Sequence, residues 1–65
     1  MIVSALKKKL EAEVELAKSD LQVFLTNPIG VAEHIDYVAT AEKKLEHLTN
    51  AEDKLETLVK HFSKY

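Results

Sequence analysis

The sequence predicts an all-α fold: a two-helix antiparallel hairpin that assembles as a helical bundle, a dimeric four-helix bundle. Three observations carry that prediction. Apolar residues recur at steps of three and four along nearly the whole chain, the period of a helix with one covered face. The single Gly and the single Pro fall together in Asn27-Pro28-Ile29-Gly30, so one strong breaker divides two segments. Hydrophobic residues make up 46% of 65 positions, more than one hairpin can cover.

The first segment, about 2–26, carries Val3, Leu6, Leu10, Val14, Ala17 and Leu21, continued by Phe24 and Leu25. At about 100° per residue these fall within one arc of roughly 100°. Lys8, Glu11, Glu15, Lys18 and Gln22 take the opposite side. Lys7–Glu11 and Lys9–Glu13 are spaced as i,i+4 pairs, each worth about 0.2–0.5 kcal/mol. A thinner second stripe holds Ala5, Ala12, Leu16 and Val23. It is either ordinary exposed apolar surface or a second contact surface.

Residues 27–30 read as a turn. Asn27 at its first position, Pro28 at its second and Gly30 at its fourth suit type I geometry, and Pro28 disfavours helix at Asn27. The second segment, about 31–63, carries Val31, Ile35, Val38, Ala41, Leu45 and Leu48, then Ala51, Leu55, Leu58, Val59, Phe62 and Tyr65. Most steps are three or four, as in a coiled-coil seam. Glu33 and Asp36 near its start and Lys60, His61 and Lys64 near its end suit the helix dipole. Thr49-Asn50 resembles an N-cap, but the apolar steps cross it without a gap, which favours one continuous helix. The chain is then a single domain over residues 1–65. An echo of period ten, Ala41–Leu48 against Ala51–Leu58, does not return to the same helix face and is shared composition, not a repeat.

Assembly follows from lengths. Folding back at Pro28 sets residue 3 opposite about residue 53, so the end of the longer second helix overhangs. Leu55, Leu58, Val59, Phe62 and Tyr65 would lie there, uncovered by their own chain. They are the predicted contacts with a second copy or another partner. The apolar stripe of the second helix also rotates: Val31, Ile35, Val38 and Leu45 point about 100° away from Leu48, Ala51, Leu55, Leu58 and Phe62. Coiling accounts for ~20° per heptad of such drift, and a change of partner for the rest. A chain this small is marginal alone. Dimer and tetramer stay open, as do parallel and antiparallel association of hairpins.

Chemistry is sparse. Nothing in the sequence points to an enzyme: Ser4, Ser19 and Ser63 have no His at helical spacing to activate them, and there is no glycine-rich phosphate loop. No cofactor is implied. Without Cys there is no disulfide, thiolate metal site or cysteine nucleophile. His47 and His61 share a face but lie ~21 Å apart along a helix, too far for one ion. Glu33, His34 and Asp36 point in different directions around a helix, so no metal site is expected. Nine Lys against eleven Asp and Glu give a net charge of −2, which argues against a dedicated nucleic-acid binder. Lys7-Lys8-Lys9 splay about 200° around the helix. A small dimeric nucleic-acid-associated regulator that aligns two such segments is the alternative, and a ligand-holding bundle core is a third. No apolar run reaches the ~20 residues of a membrane span. The apolar start precedes the lysines, the reverse of a secretory signal, so a cytoplasmic location is expected.

The stretch Asn27-Pro28-Ile29-Gly30-Val31-Ala32-Glu33-His34-Ile35-Asp36 resembles a segment of small uncharacterised helical proteins of tailed, T4-like marine bacteriophages. Ala51–Leu58 is similar to their C-terminal helix, so the resemblance covers about residues 18–60. It implies a phage origin, the cytoplasm of an infected bacterium, and a host or phage protein as partner. It assigns no residue a role.

Overall fold

The computed structural model describes residues 1–26 and 36–64. The predicted turn at Asn27, Pro28 and Gly30, the segment 31–35 and Tyr65 lie outside the described residues. Two helices fill the rest: α1, Ile2–Thr26, and α2, Tyr37–Phe62. They pack against each other as a hairpin measuring 48 × 15 × 15 Å. Phe24 sits beside Tyr37 at one end, and Val3 shares a groove with Val59 at the other, so the helices are antiparallel.

Local chemistry closes the helix ends that face the connection. At the end of α1 the Thr26 hydroxyl donates to the Gln22 carbonyl at 2.8 Å, occupying one of the orphan acceptors of the last turn. Asp36, placed inside the second helix by the sequence pattern, is its N-cap. Its backbone is extended (φ −75°, ψ 103°), and its carboxylate accepts from the Ala39 amide at 3.1 Å. α2 runs through Thr49-Asn50 without a break and carries Lys60 and His61 in its last turn, next to the dipole's negative end.

The register differs from the expected one. Asp20 pairs with Lys44, and Val3 lies against Leu58, Val59 and Ser63, not residue 53. The second helix is therefore displaced by about eight residues, or ~12 Å. The reason is the connection. Ten residues separate Thr26 from Tyr37, whereas the expectation assumed a tight turn at Pro28. With 25 and 26 residues, the helices match in length and the expected overhang is gone.

The core is thin. Among the described residues only Leu10, Leu21 and Ala51 are buried, and no polar side chain is. Val14, Ala17 and Phe24 from α1 and Leu48, Leu55 and Leu58 from α2 are half-buried beside them. The chain exposes 5424 Å², against the ~4200 Å² of a compact monomer of this mass. Its radius of gyration is 14.8 Å, where a compact chain of this length gives about 11 Å. Two helices side by side have no third layer to close over their flanks.

Candidate interaction surface

The rotation of the apolar pattern on α2 resolves into two directions with different neighbours. Leu48, Ala51, Leu55 and Leu58 face α1 and are buried or half-buried. Val38 and Leu45 point away from that seam and are 78% and 52% exposed. On α1, Leu10, Val14, Ala17 and Leu21 face α2, while Leu25, grouped with them by the sequence pattern, is 63% exposed.

These exposed residues gather on one side of the hairpin. On α1 the angular order runs from the seam through Val3 and Val14 to Leu25; on α2 it runs through Val59 to Leu45 and Val38. Because the helices are antiparallel, both progressions turn toward the same side, the front face. One groove there is lined by Val3, Lys7, Leu58, Val59 and Ser63, which places Val3 and Val59 together. Apolar side chains of both helices therefore form a strip along the front face.

The back face is different. The second stripe of α1 lies there: Ala5, Ala12, Leu16 and Val23 are all exposed, Leu16 at 71%. Its neighbours across the groove are polar. Leu16 shares that groove with Asp20, His47, Asn50 and Lys54. Toward the chain ends the groove becomes apolar, between Leu6, Leu10, Leu58 and Phe62.

Near the connection the two helices are joined by polar contacts. The Lys44 ammonium donates to the Asp20 carboxylate at 2.8 Å and stands 5.6 Å from the centroid of the Phe24 ring. The Phe24 and Tyr37 rings lie 6.2 Å apart and tilted by 42°. Lys44 occupies the middle of the seam face of α2, where an apolar residue would ordinarily sit. Its ammonium stands over the Phe24 ring and reaches Asp20 as well. The sequence pattern stepped from Ala41 to Leu45 and passed over it; an Asp on the matching face of α1 was the available signal.

The predicted contact residues separate. Leu55 and Leu58 are half-buried along the hairpin's own seam. Val59 and Phe62 stay 40% and 48% exposed, and Tyr65 lies outside the described residues. His61 lies beside Phe62, with ring centroids 6.2 Å apart. The lysines of Lys7-Lys8-Lys9 are exposed, and Lys9 is 3.9 Å from Glu13. Among the described residues no group of three His, Cys, Asp or Glu is placed to hold a metal ion. Nor is any helix among them long and apolar enough to cross a membrane. Comparison with protein-family models, curated proteins and solved structures finds no match for this chain.

Proposed function

We propose that the chain is a non-enzymatic interaction protein that works as a homo-oligomeric helical bundle. One observation carries the reading. A hairpin with three buried residues among those described leaves apolar side chains of both helices exposed along one face. Solvated apolar strips of this extent are characteristic of contact surfaces. A hairpin this thin also gains stability from any copy that covers it, because binding to the folded state alone draws the folding equilibrium with it.

The role that follows is assembly or the modulation of another protein. The resemblance of residues 27–36 to a segment of small helical phage proteins supports an infected bacterial cytoplasm as the setting, with a host or phage protein as the further partner. Val59 and Phe62 remain contact residues in this reading, joined by Val38 and Leu45. The regulator alternative has less behind it, since the three lysines face three directions and their neighbours Glu11, Glu13 and Glu15 are acidic.

Light scattering behind size exclusion, at two concentrations, tests the proposal. The expected result is twice or four times the chain mass of 7.3 kDa. A monomer at both micromolar concentrations would sink it. Binding to DNA or RNA that weakens steeply with salt would favour the regulator instead.

A further inference from the structure

We infer that the front face is the self-association surface, and that it takes a second copy of the chain turned end for end. Each helix then runs antiparallel to its own counterpart across the interface. The inference rests on the self-association reading above and names its surface and geometry.

The spacing on α2 comes first. Val38, Leu45, Glu52 and Val59 recur at steps of seven, and each is followed three residues later by an apolar residue. That is the pattern of a two-stranded seam. α1 covers the flank of it that holds Leu48 and Leu55, and leaves Val38 and Leu45 outside. Paired antiparallel about the level of Asn50, the stripe matches itself in height: Val38 comes level with the partner's Phe62, and Leu45 with the partner's Leu55.

The register makes the same axis serve α1. With Asp20 beside Lys44, Val14 is level with Asn50. A two-fold at that height sets Val14 against the partner's Val14 and Val3 against the partner's Leu25. It also brings Lys18 and the partner's Glu11, and Glu11 and the partner's Lys18, to within one residue, ~1.5 Å, of the same level. Both are exposed on the rim of the front face. Charge complementarity therefore comes in symmetric pairs, as an isologous contact requires. The back face lacks this match, because its apolar stripe belongs to α1 alone and lies beside His47, Asn50 and Lys54.

The area is sufficient. The helices that carry the face have 25 and 26 residues, ~39 Å of length, and with a width of 15 Å the footprint is about 600 Å² before side-chain relief, the lower edge of the roughly 600–1,000 Å² per partner of a standard interface. Glu52 is the one charge in the heptad stripe. It acts as the polar position that sets register at a cost in affinity.

Sedimentation equilibrium on the full chain tests this with five variants. Leu45→Glu raises the dissociation constant by roughly ten- to a hundredfold, the worth of one leucine left unburied. Leu16→Glu, on the back face, leaves it unchanged. Glu52→Leu tightens association by about tenfold, which requires a folded chain and so guards against simple unfolding. Lys18→Glu weakens it by about two- to fivefold, the scale of an exposed ion pair. Adding Glu11→Lys to that variant restores it. If the unaltered chain is monomeric, the functional proposal and this inference fall together. If it assembles but Leu16→Glu breaks it and Leu45→Glu does not, only this inference falls. Absence of tightening by Glu52→Leu, or of rescue by the charge swap, overturns the end-for-end arrangement.

Discussion

The two ends of the hairpin are held by different kinds of contact. Near the connection, Asp20 and Lys44 form a 2.8 Å ion pair, and Lys44 covers Phe24, which in turn leans on Tyr37. At the far end Leu6, Leu10, Leu58 and Phe62 line a mostly apolar groove, with Asp53, Lys54 and Thr57 along its α2 side. Apolar burial is strong but non-directional, so a helix can slide by a turn and keep much of it. An ion pair beside water adds little energy, yet it forms at one register only. The far end contributes cohesion, and the connected end specifies which residues face each other.

The largest expected effects test whether the ends differ in kind and not in strength. Leu10 lies in the half toward the far end and Leu21 in the half toward the connection, and both are buried. Leu10→Ala and Leu21→Ala should each destabilise by about 2–3 kcal/mol, the lower part of the usual range, because a thin core can collapse onto the gap. Urea unfolding at a fixed chain concentration measures both. A loss confined to one of them would show that a single end carries the fold. Ala51→Leu comes next. Ala51 is 5% exposed, and three further heavy atoms there push the helices apart at a cost of about 1–2 kcal/mol. Thermal unfolding reads the effect, and an unchanged midpoint would mean that the seam is looser than its burial indicates.

Asp36→Ala sharpens the comparison at the connected end. It removes the acceptor for the Ala39 amide and should cost about 1 kcal/mol, with the first turn of α2 losing amide-exchange protection while the far end keeps it. Equal loss of protection along the whole of α2 would instead mean that the helix folds as one unit.

Much of this architecture was legible in the residues. The two helical segments follow from apolar steps of three and four, and the separation from the one Pro–Gly site. The exposure of Leu16 and Val23 follows from their angle to Leu10 and Leu21. The register was not legible. Apolar stripes on two long helices match at several offsets, and the residue that selects one, Lys44, carries a charge that pattern reading assigns to solvent. The overhang expected from folding back at Pro28 fell with that register. The front face was half legible: the rotation of the pattern on α2 separated Val38 and Leu45 from Leu48 and Ala51. Leu25 looked like core because it falls at the edge of the apolar arc of α1, and its angle, turned from the seam toward the front face, exposes it.

The smallest energetic effect belongs to Lys44→Met, and it divides specificity from stability most directly. Methionine keeps a stem of similar length and removes the charge that stands over Phe24. Asp20, whose side chain is 57% exposed against 27% for Lys44, then turns to water and strands no buried charge. Stability should change by less than about 1 kcal/mol in either direction. The uniqueness of the pairing should change more, because a contact that prefers this register is gone while the apolar contacts tolerate others. The expected outcome is a near-wild-type unfolding midpoint with doubled amide resonances along α2 and a weakened Phe24–Tyr37 ring contact in nuclear Overhauser spectra. A single set of resonances with that contact intact would place register control in the apolar end, and the distinction between cohesion and specification would fail.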